Sequence, residues 1–158
     1  MAASKNLPLT RNLTRILAVD LGLARVGLAI SDEQKIIASP LENLLALPDI
    51  RGTANRLLDL IEQLKREKGY VIEEIVVGLP LKMDGSDSKT TTHAREFVTI
   101  LQEKSAIPVI LHDERLTTVQ AERSLMEGHF TRKKRARFVD RVSAVLLLQS
   151  YLQLRSRT

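Results

Sequence analysis

The chain has 158 residues, of which 44% are hydrophobic, and this is enough for one domain with a full core. It contains no cysteine, which excludes disulfides and thiolate metal sites, and it has no run of about 18 apolar residues that would predict a transmembrane helix. The formal net charge of +5 suits a polyanionic partner, although the same excess also keeps a protein soluble.

The first predicted elements are two strands joined by a tight turn. Residues 16–19 are an apolar run rich in strand formers, Gly22 and Gly27 bracket the turn, and residues 26–30 resume the strand pattern. Asp20 follows the apolar run directly, where a carboxylate is costly to desolvate unless a cation or hydrogen-bond donors lie beside it. Alternatively, its side chain caps the turn.

A third strand is predicted over residues 36–44, where Pro40 favours an edge position. Strands joined by such short turns are antiparallel neighbours. Asp49 is then the predicted N-cap of a helix that stops at Gly69. The next strand, residues 71–77, follows a connection long enough for a parallel crossover.

The second half of the chain continues the alternation. Residues 78–86 are punctuated by Gly and Pro and are predicted to form a loop, residues 89–104 a helix, and residues 108–111 the last strand. A capping box predicts a helix over residues 117–127, and a final helix over residues 138–154 is apolar enough to lie buried against the sheet. The prediction is one α/β domain with a five-stranded mixed sheet.

Three acids stand at element ends: Asp20 ends the first strand, Glu114 follows the fifth, and Asp140 falls in the first turn of the last helix. If these ends share one rim of the sheet, the acids converge, and divalent cations such as Mg²⁺ or Mn²⁺ would relieve their repulsion. Two such ions support phosphodiester hydrolysis. Other roles stay open. Glu114 could pair with Arg115, and Asp113 competes with Glu114 as the functional acid. Asp140 could instead interact favourably with the positive end of the helix dipole.

A basic segment precedes Asp140 and indicates a phosphate-contact surface, although a solvated loop would have the same composition. Arg25, behind the Asp20 turn, could also reach substrate phosphate or form a surface salt bridge. The candidate nucleic-acid-binding residues of the segment are Arg132, Lys133, Lys134, Arg135 and Arg137.

Four segments together resemble the motifs of one known family. Residues 19–32, 77–86, 113–118 and 139–149 are similar, in order, to the four motifs of the YqgF-type family of pre-16S rRNA nucleases, also called Holliday-junction-resolvase-like proteins. The resemblance spans residues 15–154, nearly the whole chain.

The resemblance implies an RNase H-like fold with helices on both faces of the sheet. It implies a metal site formed by Asp20, Glu114 and Asp140, holding Mg²⁺ or Mn²⁺, and a cytoplasmic bacterial nuclease that helps mature the 5′ end of 16S rRNA. Pre-16S rRNA is then the expected partner, with branched DNA an alternative, in a monomer or homodimer without a membrane. Arg141 and Ser143 depart from the family pattern, and neither removes a ligand.

Three hypotheses follow. The first is a metal-dependent nuclease, acting on pre-16S rRNA or on a Holliday junction. The second is a nucleic-acid-binding factor without hydrolysis, in which the basic segment matters and the acids do not. The third is a nucleotide-binding phosphotransferase, which would need a second, similar domain. The expected organisation is a flexible arm (residues 1–14), a nuclease domain (residues 15–154) and a short tail (residues 155–158).

Overall fold

A computed structural model describes residues 13–116 and 132–156 of the protein, without the side chains of residues 116 and 132–141. Five strands, three helices and a short 3-10 turn make up this part of the chain. In chain order they are β1 (Thr14–Leu21), β2 (Arg25–Ser31), β3 (Ala38–Leu45), α1 (Ile50–Lys68), β4 (Val71–Leu79), α2 (Lys89–Lys104), β5 (Val109–Asp113), the 3-10 turn (Glu114–Leu116) and α3 (Arg132–Ser156).

The five strands form one mixed sheet in the order β3-β2-β1-β4-β5. The pairs β1–β2 and β2–β3 are antiparallel, and the pairs β1–β4 and β4–β5 are parallel. The predicted α/β fold class, a five-stranded mixed sheet of three antiparallel strands followed by two parallel ones, is confirmed. The edge position predicted for the strand with Pro40 is also confirmed, because β3 has a neighbour on one side only.

Helices cover both faces of the sheet because successive residues of β1 point to opposite sides. Leu17 and Val19 are buried in a core with residues of α1 and α2, whereas Ile16 and Ala18 are buried in a second core with residues of α3. Which face a strand residue occupies therefore decides which helix it can meet.

The caps of α1 follow the predicted pattern. Asp49 is the N-cap and accepts a hydrogen bond from the backbone N–H of Arg51, and Gly69 ends the helix in the left-handed region, with φ of 70°. Helix α2 has the predicted bounds, and it begins with a capping box between Ser88 and Thr91.

Two differences from the predicted boundaries bear on the site. Gly78, predicted in a loop, lies inside β4, which extends to Leu79. The last helix begins at Arg132 instead of residue 138, since Lys and Arg are good helix formers even without an apolar period. The basic segment is therefore the start of α3, and Asp140 lies in its third turn, so the helix-dipole explanation of Asp140 is wrong.

Several predictions fall on parts of the chain that the structure leaves out. The predicted helix over residues 117–127 lies outside the described residues, as do residues 1–12 of the predicted arm and residues 157–158 of the tail. Thr14 and Arg155 belong to β1 and α3. Within the described ranges, no helix is long and apolar enough to cross a membrane.

Candidate active site

Asp20 and Glu114 come from opposite sides of β4 and meet above it. Val19 of β1 pairs with Val77 of β4, so Asp20 and Gly78 follow at the same level of the sheet. Gly78 in turn pairs with His112 of β5, two residues before Glu114. All of these positions lie at the carboxyl ends of the parallel strands, as the sequence predicted.

The pleat places these positions on one face of the sheet. Asp20 is two residues beyond Ala18 and Gly78 is two beyond Val76, and both Ala18 and Val76 are buried in the core shared with α3. On β5, the side chain of His112 also contacts α3, through Ser150. The two acids therefore meet on the α3 side of the sheet.

The carboxyl groups of Asp20 and Glu114 are in direct hydrogen-bond contact. Burial first, then the hydrogen bond and the negative charge of Asp20, and finally the charge of Asp113, raise the pKa of Glu114 to about 8. At neutral pH Glu114 thus keeps its proton and donates a hydrogen bond to the carboxyl group of Asp20. Two acids arranged in this way are a destabilising pair unless a cation or a proton lies between them.

Asp113, the alternative acid, is bound to Arg115. Its carboxylate accepts hydrogen bonds from Nε of Arg115 at 2.9 and 3.1 Å, from Nη2 at 2.7 Å, and from the backbone N–H of Arg115 at 3.0 Å. This ion pair lowers the pKa of Asp113. Glu114 therefore does not pair with Arg115, and of the two neighbouring acids it is Glu114 that reaches Asp20.

Arg115 also joins the site to the loop after β4. Its Nη1 donates to the backbone carbonyl of Met83 at 3.4 Å. The loop is itself held together by Asp84, which accepts hydrogen bonds from the backbone N–H and the hydroxyl of Ser86 at 2.9 and 2.6 Å. The loop thus lies on the same rim as the two acids, as the sequence indicated.

A small pocket of about 60 Å³ opens beside Asp20, and Arg25 and Asn43 contribute to its lining. The turn that brings Arg25 there is closed by a hydrogen bond from the N–H of Gly22 to the carbonyl of Arg25 at 2.9 Å. The side-chain oxygen of Asn43 is buried and has no hydrogen-bond partner within the described part of the chain. Arg25 is therefore close to one of the two acids.

His112 has a structural role. It is 7% exposed, its Nε2 lies 3.0 Å from the hydroxyl of Ser150, and its ring packs edge-on against Tyr151. Burial lowers its pKa, so the ring is neutral near pH 7. These contacts fasten α3 to β5 next to the two acids.

The remaining candidate residues lie in the first part of α3. Asp140 and the basic residues belong to this helix, and their side chains are outside the described part of the structure. The basic residues are Arg132, Lys133, Lys134, Arg135 and Arg137.

The donor chemistry of the site is oxygen only. Asp20 and Glu114 offer carboxylate oxygens, the ligands that hard divalent cations prefer. Among the side chains that the structure describes, no three His, Cys, Asp or Glu residues form a group that could hold a metal ion. The two acids are therefore suited to a hard cation, and a third protein ligand would have to come from another part of the chain.

Two residues at this site did not stand out in the sequence as a part of it. The Gly and Pro residues of the segment predict a loop at Gly78, whereas the parallel pairing of β1 and β4 puts Gly78 level with Asp20. Asn43 lies on the exposed edge strand, and no sequence signal connects it with Asp20.

Comparison with known proteins agrees with the motifs. The RuvX family model, described as Holliday junction resolvase, matches residues 14–154. A protein of Protochlamydia amoebophila is 50% identical over 142 residues, which cover 90% of this chain and 95% of that protein. A protein of Koribacter versatilis is 47% identical over 141 residues, 89% of this chain and 88% of that protein. Both are named "Putative pre-16S rRNA nuclease". The chain belongs to the RuvX family, the YqgF-type family that its motifs resemble.

Proposed function

We propose that this protein is a metal-dependent nuclease that hydrolyses phosphodiester bonds, with Asp20, Glu114 and Asp140 as its metal ligands. The observation that carries the proposal is the contact between the carboxyl groups of Asp20 and Glu114, which come from β1 and from the 3-10 turn after β5 and meet at the carboxyl rim of the sheet. Two acids in such a contact repel each other unless a proton or a cation lies between them, so their convergence calls for a functional reason.

The direction of α3 supports including Asp140. Arg155 contacts Glu73, near the start of β4, while Ser150 contacts His112, near the end of β5. From Arg155 back to Ser150 the helix thus approaches the carboxyl rim, and we infer that its earlier residues continue in that direction. Asp140 precedes the fully buried Ala144 by one helical turn, a spacing that puts both positions on one side of the helix.

Mg²⁺ or Mn²⁺ bound by these acids would supply a Lewis acid that activates water and stabilises the leaving oxygen. The role of the protein is to hold the carboxylates in place and to exclude competing charges. The ion pair between Asp113 and Arg115 serves the second purpose, because it occupies the neighbouring acid.

Basic side chains complete the proposed substrate path. Arg25 lines the pocket beside Asp20 and is suited to contact a phosphate next to the scissile bond. The five cations at the start of α3 lie on the segment that precedes Asp140 and would contact phosphates further along the strand.

The substrate that we favour is pre-16S rRNA, because relatives at 50% and 47% identity are named for a nuclease of pre-16S rRNA. Action at its 5′ end, in the cytoplasm, is the part of the proposal that the motif resemblance implies. A Holliday junction is the second candidate, favoured by the description of the family model. The same two-carboxylate chemistry serves either substrate, so the choice depends on how the strands are held, and only substrate competition decides it.

The test is a cut-site mapping assay with a pre-16S transcript, a four-way DNA junction and a plain single strand, each with Mn²⁺, with Mg²⁺ and with a chelator. We expect cleavage at defined positions of the pre-16S transcript that requires a divalent ion. The variant Asp20→Asn should lose this cleavage and keep the fold.

Asp59→Asn is the matched control, because Asp59 is an exposed acid on α1, on the other face of the sheet. It should cleave like the unmodified protein. Cleavage that persists in Asp20→Asn would refute the site assignment. Binding without cleavage, with Asp20→Asn as effective as the unmodified protein in cells, would favour the non-hydrolytic hypothesis.

A further inference from the structure

Gly78 occupies the only position of β4 that lies between the two acids at their own level of the sheet. Neighbouring strands are about 4.8 Å apart, so the side chain of Glu114 must cross β4 to reach Asp20 on β1. The residue of β4 at this crossing is Gly78, which is level with Asp20 on one side and pairs with His112 on the other.

The carboxyl group of Glu114 fills the space that a side chain at position 78 would need. A Cβ atom on Gly78 would lie 2.9 Å from both Cγ and Cδ of Glu114, and closer still to Oε1. Carbon atoms in van der Waals contact are about 3.5–4.0 Å apart, so even a methyl group would displace Glu114.

Position 78 requires glycine because of the space above it, and not because of a left-handed backbone conformation. Gly69 and Gly85 have positive φ angles among the described glycines, and Gly78 does not. An alanine at position 78 would therefore fit the β4 backbone without strain, and its effect would fall on the side chain above it.

We propose that Gly78 is the positioning residue of the cleavage reaction, because its missing side chain leaves the passage through which Glu114 reaches Asp20. This inference rests on the proposed nuclease function. It also assigns a role to the second sequence motif: its first glycine belongs to β4 and shapes the metal site, whereas the rest of the motif forms the loop.

The experiment is a double-mutant cycle between Gly78→Ala and Glu114→Ala. Gly78→Ala alone should lower the cleavage rate by about 100-fold, the effect of a displacement of about 1 Å in a catalytic group. It should also weaken Mn²⁺ binding measured by calorimetry. Glu114→Ala removes Cγ, Cδ and the carboxyl oxygens, which are the atoms that the added methyl group would meet. In the Glu114→Ala background, Gly78→Ala should therefore change the Mn²⁺ affinity by less than about threefold.

Gly52→Ala is the control for a glycine-to-alanine change elsewhere. Gly52 lies on α1, away from the acids, and its Cβ would meet the flexible end of the Leu47 side chain. It should leave cleavage and Mn²⁺ binding unchanged, and thermal unfolding should show that all four proteins of the cycle are folded.

The outcomes separate this inference from the proposed function. If the unmodified protein cleaves and Asp20→Asn does not, but Gly78→Ala is fully active or its effect on Mn²⁺ affinity simply adds to that of Glu114→Ala, the nuclease function stands and the positioning role is overturned. If the unmodified protein binds Mn²⁺ without cleaving, the function falls, and the cycle in Mn²⁺ affinity decides the role of Gly78. A protein that neither binds Mn²⁺ nor cleaves overturns both.

Discussion

The carboxyl group of Glu114 donates a hydrogen bond to the carboxyl group of Asp20 across strand β4, although both residues are acidic. The contact requires that Glu114 keep its proton, which burial and the charge of Asp20 bring about. The contact thus lowers the stability of the folded protein at high pH, and its two carboxyl groups are also the ligands that we propose for a cation. This double character makes the site accessible to measurements of stability as well as of activity.

The first prediction concerns pH and stability without metal. The pKa of Glu114 is raised from 4.5 to about 8, so between these values the folded protein keeps a proton that the unfolded chain has released. The free energy of unfolding should therefore fall as the pH rises, by at most about 1.4 kcal/mol per pH unit. Denaturant unfolding at several pH values in a chelator measures this slope.

His112 acts in the opposite direction, which defines the useful window. Burial lowers its pKa from 6.5, so the protonation of the unfolded chain below that pH destabilises the fold in acid. The unfolded chain has lost nearly all of this proton by about pH 7.5, so the slope between about pH 7.5 and 8 is due to Glu114, and Glu114→Gln should abolish it. A Glu114→Gln protein with the same slope as the unmodified one would contradict the assignment.

The second prediction concerns metal and thermal stability. A cation that binds the folded state alone stabilises it by about 2.7 kcal/mol at 100 times its dissociation constant. For a domain of this size the melting temperature should rise by roughly 5–10 °C with Mn²⁺. Thermal scans at constant ionic strength measure the shift. It should vanish in Asp20→Asn and persist in Asp59→Asn, and an equal shift in both variants would place the bound cation elsewhere.

The third prediction separates the two neighbouring acids. Asp113 and Arg115 form an ion pair at 2.7 Å with partly exposed side chains, and such pairs contribute about 0–1 kcal/mol. Asp113→Asn should therefore change the free energy of unfolding by less than about 1 kcal/mol and the cleavage rate by a factor of about three or less. Glu114→Gln should abolish cleavage. Equal losses in the two variants would mean that Asp113 is a ligand as well.

The sequence was sufficient where one residue determines one local structure. Asp49 and Gly69 mark the ends of α1 because an N-cap oxygen and a left-handed C-cap are local requirements. Asp20 was identifiable because an acid that directly follows a buried strand has few structural uses. The approach of Asp20 and Glu114 followed from the rule that parallel strands share a carboxyl rim.

The sequence was insufficient where two explanations share one composition. The residues next to Gly78 in the sequence fit the end of a strand as well as the start of a loop. Only the pairing of Gly78 with His112 assigns it to β4. The run of Lys and Arg before Asp140 suits a solvated loop as well as a helix start, and α3 begins at Arg132. The choice between Asp113 and Glu114 depended on the partner that each side chain finds in space.

The last prediction concerns the attachment of α3 to the sheet. Leu147 is 1% exposed in the core between α3 and the sheet, whereas Leu154, on the same helix, is 45% exposed. Leu147→Ala should lower the free energy of unfolding by about 2–5 kcal/mol, and Leu154→Ala by about 0.5 kcal/mol or less. Denaturant unfolding measures both. Under conditions in which Leu147→Ala is still folded, this variant should bind Mn²⁺ more weakly than the unmodified protein, because Asp140 lies on α3. The Mn²⁺ affinity of Leu154→Ala should stay unchanged. Equal stability losses in the two variants would mean that α3 is not fastened to the sheet through Leu147. Asp140 would then have no attachment that holds it near the rim.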